Sequence, residues 1–114
     1  VVRWSKCDIS SIAYWVGQHD YKVVKGRDTA EQCMGMEAWD CKCSAVIARD
    51  TLNACGLEAR IQILKHDNKF HAVALFTDEQ GHRGFIDSGK YGEFGHDSWD
   101  DVISHIGGGP WAIY

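Results

Sequence analysis

The sequence predicts an α+β fold, in which helices come first and an antiparallel sheet follows. Three observations carry that prediction. Apolar residues recur at helical spacing from Ile9 to Val16 and again from Cys41 to Cys55. The period then changes to two over residues 59–66, 69–77 and 83–88. The connections between those three runs, Asp67-Asn68 and Asp78-Glu79-Gln80-Gly81, are short and turn-forming, so successive strands run antiparallel as a meander.

Each element has its own signal. Ile9, Ile12, Ala13 and Val16 form one apolar helical face, and Gly17 ends that helix. Tyr21 to Lys25 reads as a short strand or extended loop. Asp28 and Thr29, with Glu31 and Gln32 behind them, offer a capping-box start for a short helix that Gly35 ends. The clearest helix follows. Asp40 is a good N-cap, Cys41, Ala45, Ala48, Leu52 and Cys55 share a face, and Gly56 is the C-terminal stop. After the three strands, Ser98 and Asp101 cap a last short helix with Trp99, Val102, Ile103 and Ile106 as its apolar set. Gly107-Gly108-Gly109-Pro110 breaks the chain before a short strand, Trp111-Ala112-Ile113-Tyr114.

With 114 residues the chain is read as a single domain, 1–114, large enough for one real core. Its apolar share of 45% and charged share of 25% are ordinary for a globular protein. A net charge of −4 disfavours nucleic acid and anionic membrane surfaces as partners. No apolar run approaches the roughly 20 residues that span a bilayer, and no signal-peptide pattern is present. The chain opens at Val1 rather than Met, as a trimmed segment would. The five cysteines, Cys7, Cys33, Cys41, Cys43 and Cys55, are odd in number and not spaced like a secreted disulfide framework, so free thiols in the reducing cytoplasm are expected.

Three residues in chain order carry candidate chemistry. Cys41 lies in the first turn of its helix, where unpaired backbone N–H groups and the macrodipole favour a thiolate. Cys43, two residues on, points elsewhere around the helix and is read as structural. Cys55 is read as core. His71 alternates with apolar neighbours in the second strand, and Asp87 ends an apolar strand where an unpaired acid is costly. If the hairpin loop is the three residues Glu79-Gln80-Gly81, with Gly81 left-handed, Val73 faces Asp87. His71 and Asp87 are then diagonal neighbours on one face. A two-residue loop would put them on opposite faces. His66 is the nearest rival base, but no acid is placed like Asp87 beside it. His19, His82, His96 and His105 are read as surface residues.

These residues resemble the transglutaminase-like superfamily, a branch of the papain-like cysteine enzymes. Asp40-Cys41 with Ala45 matches its helix start, Gly56-Leu57-Glu58-Ala59-Arg60 its helix-to-strand stretch, His71-Ala72-Val73 its His strand, and Ile86-Asp87 its hydrophobic-Asp strand end. The match covers roughly residues 28–89, with Trp39 in place of a common glycine and Lys42-Cys43 in place of common acidic residues. The resemblance implies a nucleophile-bearing helix packed on an antiparallel sheet. It implies a thiol-dependent hydrolase or acyltransferase, a cysteine protease, amidase or transglutaminase-like enzyme acting on peptide, isopeptide or glutamine amides. In it Cys41 would be the nucleophile, His71 the base and then the acid, and Asp87 the residue that orients His71, with no cofactor or metal. The backbone N–H of Cys41 would serve the oxyanion, with Trp39 or Gln32 as candidate second donors. Two competing readings are a non-catalytic binding or structural module on the same fold and a zinc domain built from Cys33, Cys41, Cys43 and a histidine.

Overall fold

A computed structural model describes residues 8–17, 20–21, 38–39 and 41–114, and of residues 20, 21, 38, 39 and 41 the backbone alone. The expected helix over residues 28–35 and the extended stretch beyond Tyr21 lie outside the described residues.

Asp8 caps the first helix, α1 (Ile9–Val16). Its carboxylate accepts from the Ser10 N–H and from the Ser10 and Ser11 hydroxyls. Those hydroxyl bonds hold its pKa below the usual carboxylate value. The buried face of α1 is Ile9, Ile12, Ala13 and Val16, as the periodicity predicts. Two short strands, β1 (Asp20–Tyr21) and β2 (Ala38–Trp39), pair in parallel. The second helix, α2 (Cys41–Ala54), runs to a left-handed Gly56, and the Leu57 N–H reaches back to the Leu52 carbonyl.

The five-stranded sheet has the order β6-β5-β4-β3-β7 and is antiparallel throughout. Its strands are β3 (Glu58–His66), β4 (Lys69–Thr77), β5 (Arg83–Asp87), β6 (Lys90–Glu93) and β7 (Ala112–Ile113). β3, β4 and β5 match the three predicted strands to within a residue at each end. β6 was not predicted, because Lys90-Tyr91-Gly92-Glu93 has neither alternation nor burial, being an edge strand whose register comes from its neighbour. The last helix, α3 (Trp99–Ser104), is capped by Ser98, whose hydroxyl accepts from the Asp101 N–H.

Strand alternation divides the core in two. On one face Ala74, Phe76 and Ile86 meet α1 and α2 through Ile12, Val16, Cys43, Ile47, Ala48 and Leu52. On the other, Leu64, Val73, Leu75 and Phe85 meet Val102, Ile103 and Ile106 from α3 and its C-terminal extension. At about 25 cal/mol per Å2 of apolar area, each fully buried Leu, Ile or Phe contributes roughly 1.5–3 kcal/mol to this packing. The central strand therefore supplies both cores. α1 approaches the sheet where Gly17 meets Gly89. A side chain at Gly17 would put its Cβ 2.5 Å from the Gly89 Cα, so only glycine admits that contact.

One expectation is overturned. Cys43 and Cys55 are both disulfide-bonded, not free. Twelve residues of α-helix separate them by about 18 Å, far beyond the span of a disulfide, so they are not bonded to each other. Cysteine spacing along the chain carried no sign of this, because the fold and not the sequence interval sets which sulfurs meet.

Candidate active site

The geometry of the site follows from one hairpin. The Asp78 N–H donates to the His82 carbonyl at 2.9 Å, and the Gly81 N–H to the Asp78 carbonyl at 3.0 Å. Gly81 has φ +83°, the left-handed conformation a three-residue loop requires. Asp78 fastens the turn, its Oδ1 accepting from the Gln80 and His82 N–H groups at 2.9 and 2.8 Å. Burial raises the Asp78 pKa, but those two backbone donors and the neighbouring His82 ring outweigh it and hold the carboxyl below its ordinary value.

This loop sets the register of β4 against β5, with Thr77 opposite Arg83 and Ala74 opposite Ile86. One step further along, Val73 stands across from Asp87, and His71 and Asp87 become diagonal neighbours on one face. Their side chains meet there, with His71 Nε2 2.7 Å from Asp87 Oδ1. Both are mostly buried, with side-chain exposures of 22% and 16%. Such a short contact in a partly dry setting is a strong hydrogen bond. Because Asp87 occupies Nε2, proton exchange between the ring and any other group falls to Nδ1.

Trp111 completes this part of the site. Its ring stacks on His71, with centroids 5.4 Å apart and planes 24° from parallel. It meets His66 edge-on at 6.0 Å, and its indole N–H donates to the Gly107 carbonyl at 2.9 Å. Trp111 enters because β7 pairs with β3, where Leu64 faces both His71 and Ile113. Local pattern could not have found it. The only signal was a tryptophan after a glycine-rich break, and its neighbour in space is 40 residues away in sequence.

The start of α2 lies close by. Lys42, Ile63, Phe70, His71 and Ala72 line one cavity of about 140 Å3. Lys42 in the first turn of α2 and His71 thus border the same cavity, while the alternation of β4 puts the His71 side chain on the α3 side of the sheet. Cys41 is the first residue of α2, and nothing is described of its side chain. Trp39 ends β2, described in backbone only, and Gln32 lies outside the described residues. His66 makes a 3.7 Å contact with exposed Asp67 and not with Asp87.

Cys43 is fully buried in the core around α2, and its sulfur is in a disulfide. That removes it as a rival nucleophile. It also removes the zinc set of Cys33, Cys41, Cys43 and a histidine, because a disulfide sulfur is not a thiolate ligand. Cys55, expected in the core, is partly buried against the same cluster and likewise disulfide-bonded. Among the described residues no group of three or more His, Cys, Asp or Glu side chains is placed to hold a metal ion. No helix is long and apolar enough to cross a membrane among those residues.

No protein-family model matches the chain, and no curated protein matches it. Among solved structures, calcium-bound LapG of Legionella pneumophila is similar over 75% of this chain, with a TM-score of 0.61 and 19% identity. The chain spans 55% of the length of that protein. At this identity the likeness speaks of the fold alone, and the chain has an α+β fold of the LapG type, with helices packed on a five-stranded antiparallel sheet.

Proposed function

We propose that the protein is a thiol-dependent hydrolase or acyltransferase that acts on peptide, isopeptide or glutamine amides through Cys41, His71 and Asp87. The observation that carries this reading is the 2.7 Å contact between His71 and Asp87 beside the cavity that Lys42, the residue after Cys41, helps to line. A histidine hydrogen-bonded to an acid, near a helix start that carries a cysteine, supports that reading.

In this reading Cys41 Sγ, as the thiolate, attacks the amide carbon, and the carbonyl electrons move onto oxygen. Backbone N–H groups at the start of α2 meet the negative oxygen, with Trp39 and Gln32 as candidates for a further donor. The tetrahedral species collapses as the C–N bond breaks. The proton on His71 Nδ1 goes to the departing nitrogen, leaving a thioester on Cys41. Water or an amine then attacks the thioester while His71 takes its proton, and the thiolate leaves. Asp87 holds the ring through Nε2 and faces the positive charge of the imidazolium, without taking its proton. No step requires a cofactor. The structural neighbour is calcium-bound; among the described residues of this chain no group of three or more His, Cys, Asp or Glu side chains gathers, and no step here passes through a metal.

The natural partner in this reading is a protein or peptide. The disulfides of Cys43 and Cys55 favour an oxidising compartment over the cytoplasm expected from the sequence. The test is turnover of a mixed peptide and glutamine-amide substrate set by wild type, Cys41→Ala, His71→Ala and Asp87→Asn. The reading expects none for the first, nearly none for the second and partial loss for the third. Full turnover by Cys41→Ala would leave the non-catalytic module as the better account of the fold.

A further inference from the structure

A second pocket lies on the α3 side of the sheet, at the other end of β4 from His71. Its cavity is about 450 Å3, and Glu58, Arg60, Thr77, Arg83 and Trp99 are among its walls. Six residues of strand separate His71 from Thr77, about 20 Å at roughly 3.3 Å per residue, so this pocket is distinct from the candidate active site.

Its chemistry is unusual for the chain. The Arg60 and Arg83 guanidinium carbons lie 4.9 and 5.0 Å from the Trp99 ring centroid. Both cations lie within cation–π range of that ring, an interaction that leaves guanidinium N–H groups able to donate elsewhere. Among the described residues the Arg60 guanidinium donates no hydrogen bond and makes no ion pair, and the Arg83 guanidinium donates only to the Asp97 carbonyl, at 3.0 Å. Among the described residues the Trp99 indole N–H and the Thr77 hydroxyl have no hydrogen-bond partner either. Glu58 pairs with neither arginine, so two cations and one anion leave a net positive pocket on a chain of net charge −4. The cavity is therefore richer in donors than in acceptors. Its volume lies within the ordinary range for a small-ligand site.

The arginines stand on β3 and β5 with β4 between them, Arg60 opposite Leu75 and Arg83 opposite Thr77, so their backbones are about 12 Å apart. Each presents its own fork, and Trp99 offers an apolar surface to both. That arrangement suits two carboxylates joined by an apolar spacer better than one tetrahedral phosphate, because a guanidinium edge matches a carboxylate bidentately. We propose that the Arg60–Trp99–Arg83 pocket binds a dicarboxylate, supplied either by a free dicarboxylic acid or by a peptide segment carrying two acidic side chains. The inference does not depend on the proposed thiol chemistry.

The test is an NMR titration of the full chain with sodium glutarate at constant ionic strength. It follows the Arg60 and Arg83 Nε–H signals and the Trp99 indole N–H. The pocket predicts saturable shifts at all three, weakened at least tenfold by Arg60→Gln or Arg83→Gln in proteins whose spectra otherwise stay dispersed. Arg60→Lys keeps the charge but loses the fork, and should weaken binding several-fold. A parallel arm uses acetyl-Glu-Ala-Glu-amide. Tighter binding of that peptide assigns the ligand to a peptide segment, and tighter binding of glutarate assigns it to a free acid. Linear, unsaturable shifts would overturn the proposal. So would shifts that survive Arg60→Gln, or inorganic phosphate binding as tightly as either probe.

Discussion

Replacing Asp87 with asparagine isolates what the carboxylate contributes beyond its shape. The amide oxygen can still accept from His71 Nε2 at the observed 2.7 Å, so the ring keeps its orientation while the negative charge is lost. Hydrogen bonds to charged groups contribute about 1.5–3 kcal/mol, against about 0.5–1.5 for neutral ones. The difference is about 1–1.5 kcal/mol, or roughly five- to twelvefold in the population of an imidazolium–thiolate pair at about 1.4 kcal/mol per decade. Asp87 is 16% exposed and His71 22%, so solvent screens part of that, and the lower half of the range is expected. The assay is the second-order rate of Cys41 alkylation by iodoacetamide across pH 5–10, which needs no knowledge of the substrate. Near pH 7 Asp87→Asn should react about five- to eightfold more slowly than wild type. Above pH 9, where an ordinary thiol ionises unaided, the two rates should converge. Equal rates at pH 7, or a gap that persists undiminished at pH 10, would refute the electrostatic role.

Three further outcomes follow from the same structure. Trp111→Ala removes the ring stacked on His71, and should slow Cys41 alkylation about two- to twelvefold, from the roughly 0.5–1.5 kcal/mol of an aromatic pair, with Trp111→Phe recovering most of the rate. Thiol titration of the unreduced, denatured protein should find one free thiol per chain, at Cys41 by peptide mapping. Cys43 and Cys55 must each bond elsewhere, and five cysteines then leave one over; a disulfide at Cys41 would end the thiol mechanism. The Asp78 pKa is lowered in the folded state, so its contribution to stability is present above about pH 4 and is lost as the pH falls through the folded value. Urea unfolding of wild type and Asp78→Ala should accordingly differ at pH 7 and converge towards pH 2–3.

What could be read from the chain, and what could not, divides along physical lines. The turn Glu79-Gln80-Gly81 was legible because left-handed glycine closes a three-residue loop, and loop length alone sets the parity that places His71 and Asp87 on one face. α1 and α2 were legible because burial imprints a 3.6-residue period. β6 was not, because an exposed edge strand has no such imprint. Trp111 was not, because its place over His71 depends on β7 joining the far side of β3. The disulfides were not, because pairing of sulfurs is a property of the tertiary structure. The two arginines on Trp99 lay on separate strands, and only the register of β3, β4 and β5 brings them to one pocket.

The most direct test of the central claim is a crystal structure of the protein with a peptide aldehyde bound. The account predicts a thiohemiacetal on Cys41 Sγ, with His71 Nδ1 within hydrogen-bond reach of the adduct, about 2.6–3.2 Å, and the His71–Asp87 contact retained. An adduct on another residue, or a Cys41 adduct with the His71 ring turned away and His66 in its place, would contradict it.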